Sequence, residues 1–185
     1  VVTIKDRRPE AAATSSGAGI KEQAMAGNVK AVPEGMHTLT PHLVVRGGSK
    51  ALDFYKKAFG AEIKGVHQTP DGRVAHAELR IGDSQFTLSD EFPAMGFKGA
   101  ETLGGSPVVL NIYAENIDSL FNQAVEAGAT VTRPLADQFW GDRYGHLKDP
   151  FGHNWALGQH IEDVAPEEME RRSKAAFAQL AAAQK

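Results

Sequence analysis

Leu52-Asp53-Phe54-Tyr55-Lys56-Lys57-Ala58-Phe59-Gly60-Ala61-Glu62-Ile63 closes an amphipathic helix on a glycine and runs straight into a strand. Leu52, Tyr55, Ala58 and Phe59 recur at the spacing of one helix face, and Gly60 suits the left-handed stop of a helix. Further along, Gly128-Ala129-Thr130-Val131 repeats the junction Gly60-Ala61-Glu62-Ile63 after a second helical stretch, Ile117 to Ala127. Outward from each junction the same elements follow in the same order. Before the first lie a β-branched strand, Leu39 to Val45, and the break Gly47-Gly48, with Ser49 as the expected N-cap. After it come strands at Glu62 to Thr69, Arg73 to Ile81 and Gln85 to Ser89, divided by the turns Pro70-Asp71-Gly72 and Gly82-Asp83-Ser84. The second copy reads as strands at Pro107 to Ala114, Thr130 to Pro134, Tyr144 to Lys148 and Asn154 to His160, with Asp149-Pro150-Phe151-Gly152 as its last turn. On this count Gly72 matches Gly141, His76 matches His146 and Gly82 matches Gly152. Landmarks recurring at a nearly constant offset indicate duplication of one βαβββ unit.

The chain has 185 residues, enough for one well-buried domain with tails. Its formal net charge of -3 offers no positive field for phosphate backbones or anionic lipid, so nucleic acid and membrane are not expected partners. With no cysteine there is no disulfide framework and no thiol nucleophile, and no apolar run is long enough to span a bilayer. These features point to a cytoplasmic protein. Val1 to Met36 carries Ala12-Ala13-Thr14-Ser15-Ser16-Gly17 and no sustained apolar period, and reads as a flexible tail, with a short helical turn possible near Ile20. At the other end, residues 165–185 read as an amphipathic helix with acidic Glu167 and Glu168 in its first turn and a stripe of Met169, Ala176, Phe177 and Leu180.

Two such units, with Leu52-Asp53-Phe54-Tyr55 in the first and Asp149-Pro150-Phe151-Gly152-His153-Asn154-Trp155 in the second, resemble the vicinal oxygen chelate superfamily of glyoxalases, bleomycin resistance proteins and dioxygenases. Phe139-Trp140-Gly141-Asp142-Arg143, His76-Ala77-Glu78-Leu79 and Ile161-Glu162-Asp163-Val164 look specifically like its PhnB-like subgroup. The resemblance implies an α+β fold in which two tandem βαβββ units form a curved mixed sheet around a shared cleft. The units would cover about residues 38–92 and 106–160 of a domain at 37–164. Homodimers are common among such proteins.

Metal-dependent members hold a divalent ion with His or Glu from the first and last strands of each unit. The resemblance places Thr40, Thr87, Val109 and Ala156 at those positions, and none supplies an imidazole or carboxylate. This implies no cofactor and a guest molecule instead, as in the resistance-type members. Strand parity puts Thr40 and His42 on one face, His76 and Glu78 on one face, and Val109, Asn111 and Tyr113 on another. His42, His76, Glu78, Asn111, Tyr113 and His146 are therefore candidate cleft residues. Each histidine can equally serve as an ordinary sheet hydrogen-bond partner. A displaced metal centre built from His42, His76, Glu78 and His146 is the alternative, and would make the chain a lyase, isomerase or dioxygenase.

Phe139, Trp140 and Arg143 add flat apolar surface beside a guanidinium, suited to orienting an aromatic ligand, or else form a core plug and a local ion pair with Asp142. Asp149 reads as a turn cap. Phe92 to Phe97 is an apolar loop fit for a lid or a dimer seam. The expectation is a small-molecule-binding protein that sequesters an aromatic or apolar compound, with a structural or regulatory partner role as a further alternative.

Overall fold

The structure is a computed structural model that describes residues 30–183. The expected tail and helical turn lie outside that range as far as residue 29. The first unit comprises β1 (His42–Val45), α1 (Gly48–Phe59), β2 (Glu62–Gln68), β3 (Val74–Ile81) and β4 (Ser84–Asp90). A single 3-10 turn, Pro93–Met95, and the short α2 (Ala100–Leu103) lead to the second. That unit comprises β5 (Val109–Tyr113), α3 (Ile117–Glu126), β6 (Thr130–Asp137), β7 (Asp142–Lys148) and β8 (Asn154–His160), and α4 (Pro166–Ala183) follows it. Each unit makes its own four-stranded mixed sheet, ordered β1-β4-β3-β2 and β5-β8-β7-β6, with the first and last strands parallel.

The ends of α1 show local chemistry at work. The expected cap Ser49 is already one residue inside the helix, and the cap residue is Gly47, at φ 90°. Its place is taken by a carboxylate from another strand: Asp90 accepts from the amides of Gly47 (2.8 Å), Gly48 (2.8 Å) and Val74 (2.7 Å). A Cβ on Gly48 would come within 2.7 Å of Val74 Cβ, so the tight entry needs glycine there. β1 begins at His42 rather than Leu39, because Pro41 has no N–H to give the ladder. Its carbonyl still accepts from the Thr87 amide.

The hydrogen-bond register refines the duplication. Glu78 lies opposite Thr87 in the first sheet as His146 lies opposite Ala156 in the second, while His42 pairs with Thr87 and Asn111 with Ala156. The counterpart of His146 is therefore Glu78, and that of His76 is Tyr144, two residues from the sequence-based match. Counting landmarks along the chain missed this because the turns differ in length, whereas the ladder does not. Even the irregularities repeat: β2 shifts register between Ile63 and Gly65, and β6 between Val131 and Arg133.

The helix-bearing faces of both sheets share one core. Phe59 and Trp155 have ring centroids 4.6 Å apart, and Phe86 meets Trp155 at 6.2 Å, across the unit boundary. At the centre of this core, Asp149 accepts from Tyr55 Oη (2.7 Å), Trp155 Nε1 (2.9 Å) and the amides of Phe151 and His153 (both 2.9 Å). It caps its turn as expected and also ties the units together. Gln123 of α3 donates to the Lys57 carbonyl at the end of α1. The opposite face of each sheet is left free of helices.

The last segment is latched onto the turn before β7. Gly141, at φ 94°, accepts from the amides of Ile161 and Glu162, and a Cβ there would collide with the Glu162 carbonyl. On α4, Arg172 bridges Glu162 and Glu168, and Phe177 packs against Phe139 at 6.0 Å. The Leu180 side chain lies outside the described residues.

Candidate functional site

The two free faces differ in chemistry. On the first sheet, the row Gly65, Glu78, Thr87, His42 crosses all four strands. His42 Nδ1 is 2.7 Å from Thr87 Oγ1, and its Nε2 is 3.1 Å from Ser89 Oγ. The Thr87 hydroxyl also reaches the Pro41 carbonyl, at 3.4 Å, as donor. This network assigns the tautomer: Nδ1–H donates to Thr87, and Nε2 accepts from Ser89. The His76 ring stacks parallel to His42 with centroids 6.3 Å apart, and Phe97 packs edge-on at 6.2 Å. Burial, and then the neighbouring His76, hold the His42 imidazole below its ordinary value. His76 Nε2 lies 3.7 Å from Glu78.

The free face of the second sheet is lined by rings. Its rows are Arg133, His146, Ala156, Asn111 and then Ala136, Tyr144, Gly158, Tyr113. Ala156 and Gly158 keep the central strand low, and a Cβ on Gly158 would sit 3.0 Å from both Tyr113 and Tyr144. The tyrosine rings lie in that space, and Tyr144 Oη donates to Asn111 Oδ1. Trp140 meets Tyr144 edge-on at 5.8 Å, and Tyr144 meets His146 at 5.3 Å. Tyr113 is 59% exposed despite its ring.

Beneath these rings lies Asp142, only 6% exposed. It accepts from Tyr113 Oη (2.9 Å), Trp140 Nε1 (3.0 Å) and His160 Nδ1 (2.9 Å). Those donors hold its carboxyl below the usual value against the opposing effect of burial. His160 donates from its other nitrogen to Asp163, so both ring nitrogens carry protons and the imidazolium is favoured. The Asp163 hydrogen bond raises it most, then that of Asp142. Nothing in the local sequence signalled this network, because Asp142 stands next to Arg143 and reads as its partner.

The structure thus brings His42, His76 and Glu78 together on one face and Asn111, Tyr113, Trp140 and His146 on the other. Arg143 is not on the ring-lined face; its guanidinium pairs with Asp118 of α3 (2.6 Å) and with Asp137 (2.9 Å). Phe139 turns its ring to Trp140 and Phe177. Thr40 precedes β1, with its hydroxyl donated to the His37 carbonyl. A cavity of about 550 Å³ opens at the seam between the units, lined mostly by hydrocarbon from Leu39, Pro41, Phe86, Leu110 and Ile112, and reaches Asn111 and Tyr113.

These positions do not fit the divalent ion that the fold implies. Hydroxyls at Thr40 and Thr87, both spent on neighbours, and hydrocarbon at Val109 and Ala156 make no set of metal donors. In the alternative set, both nitrogens of His42 are engaged and His146 stands on the other sheet. Among the described residues, no group of three or more His, Asp or Glu side chains converges on a metal-sized site. None of their helices is long and apolar enough to cross a membrane.

An uncharacterized protein of Mycobacterium bovis is 46% identical over 135 residues, spanning 71% of this chain and 89% of that protein. Among solved structures, an Arabidopsis thaliana gene product superposes with a TM-score of 0.55 at 29% identity, covering 66% of this chain and 98% of that one. The PhnB protein of Bacillus cereus shares the fold with a TM-score of 0.54 at 21% identity, over 66% and 99% of the two chains. Residues 36–157 match the model of one family, and with its paired βαβββ units the chain belongs to the Glyoxalase/Bleomycin resistance protein/Dioxygenase superfamily.

Proposed function

We propose that the chain is a small-molecule-binding protein of the glyoxalase/bleomycin-resistance type that works without a metal ion. It holds an aromatic or apolar compound on the ring-lined face of its second sheet and acts in the cytoplasm as a homodimer. The cluster of exposed Tyr113 with half-buried Tyr144 and Trp140 carries this reading. Rings left in water are a standing source of binding energy: covering ~100 Å² of such surface contributes ~2.5 kcal/mol. Edge-to-face geometry and the hydrogen bonds to Asp142 and Asn111 hold the rings in place beforehand, so little ordering is spent on binding. The exposed Tyr113 ring supports the dimer reading: a second copy can set an imidazole-lined face opposite a ring-lined one and close a cleft.

The test is a titration of untagged protein with planar aromatic and saturated compounds of equal size, followed by tryptophan emission, with metal content measured in parallel. Planar compounds are expected to quench Trp140 saturably, and Tyr144→Ala to weaken them about tenfold. A stoichiometric divalent ion that disappears in His42→Ala would overturn the reading, as would the absence of saturable binding by any planar compound.

A further inference from the structure

We infer that the ring-lined face is built for a planar aromatic anion, with the Arg133 guanidinium as the group that receives its carboxylate. The inference rests on the proposal that this face binds an aromatic ligand, and adds the ligand's charge. Each other described arginine holds a carboxylate of the protein: Arg46 that of Glu91, Arg73 Asp71, Arg80 Glu62, Arg143 Asp118, and Arg171 and Arg172 Glu168. Among the described residues Arg133 has no such partner. Its one hydrogen bond is Nη2 to the neutral Gln138 Oε1, at 2.7 Å.

Its position is specific. Arg133 is the register partner of His146, in the row that ends at Asn111, so its side chain rises on the same face as the rings. The guanidinium lies near enough to help hold the His146 imidazole below its ordinary value, after burial, and to oppose the upward push on Tyr144. Asp142, the carboxylate beneath the rings, is buried, already takes three donors and makes no ion pair with Arg133 among the described residues. Gln138 is itself anchored, donating to the Ala136 carbonyl at 2.9 Å, so it steadies the guanidinium from one side and leaves its other N–H groups open. A guanidinium fork beside rings set edge to face matches a flat molecule that carries a carboxylate in its own plane, because the molecule packs on the rings while the carboxylate takes two parallel hydrogen bonds.

The probes are naphthalene-2-carboxylate and its neutral isostere naphthalene-2-carboxamide, titrated by calorimetry at low ionic strength into the full chain. The carboxylate is expected to bind about tenfold tighter than the amide. Arg133→Gln should abolish that preference by weakening the carboxylate about tenfold relative to the amide, and Arg133→Lys, which keeps the charge but loses the fork, should fall between. The thermal midpoint of Arg133→Gln should match that of the parent, since a single exposed hydrogen bond to an uncharged amide is lost. Equal affinities for both probes, or a preference that survives Arg133→Gln, would overturn the inference and leave the aromatic site standing. Failure of both probes to bind would overturn the aromatic site together with it.

Discussion

Two buried aspartates do different work with similar equipment. Asp149 takes four donors from two units, and removing it strands the buried Tyr55 hydroxyl and Trp155 indole N–H without their acceptor. Asp149→Ala is expected to lower unfolding free energy by about 3–5 kcal/mol, measured by urea titration. Asp142 sits at the site, and its loss should cost ring placement more than stability. His42 offers a direct check on the first face: its proton titration, followed by NMR, should have a midpoint below 6.5, and His76→Asn should raise it by removing the neighbouring imidazole. Residue by residue, much of this was legible. Period-two parity in the sequence placed His76 with Glu78, and Asn111 with Tyr113, on shared faces. Arg133 was not legible, because Pro134 and a second register shift between Arg133 and Ala136 break the alternation that parity depends on. Arg143, beside Asp142 in sequence, points the other way because adjacent strand residues occupy opposite faces.

Strand and helix assignments followed the 3.6 and 2 periods, and their errors cluster where distant groups intervene. Ser49 yields the cap of α1 to a carboxylate from β4 that no local pattern could reveal. β6 runs on to Asp137, beyond Pro134, because it is the outer strand of its sheet and a missing N–H there leaves no ladder partner unsatisfied. The lead into α4 depends on His160, which spans Asp142 at the start of β7 and Asp163 after β8. Its imidazolium is favoured in the folded state, so the stability it supplies is complete below about pH 6.5 and is lost as pH rises through its elevated folded value. The gap in thermal midpoint between the parent and His160→Gln should therefore be widest near pH 6 and close in alkaline buffer. Gly141→Ala should loosen the same segment at every pH, since its left-handed backbone and the Glu162 carbonyl both exclude a side chain.

For the whole molecule, duplication was readable because the junction glycines recur, but the way the two copies meet was not. The contacts that join them, Phe59 to Trp155 and Tyr55 to Asp149, are single long-range pairings without periodicity. Neither unit completes its core alone. A fragment ending near residue 106 should give the circular dichroism of an incompletely packed chain, and mixing it with the complementary fragment should restore near-ultraviolet signal. Sedimentation should find dimers, and Tyr113→Glu, which sets a charge on the exposed ring face, should shift them toward monomer. The Tyr55 to Asp149 bond also sets a clock on synthesis. The two residues are 94 positions apart, so at about 5–20 residues per second the hydroxyl waits roughly 5–20 seconds for its acceptor to be made. During that interval Phe54, Tyr55 and Phe59 lack the aromatic neighbours that later cover them, and the growing chain presents a sticky surface suited to chaperones in passing.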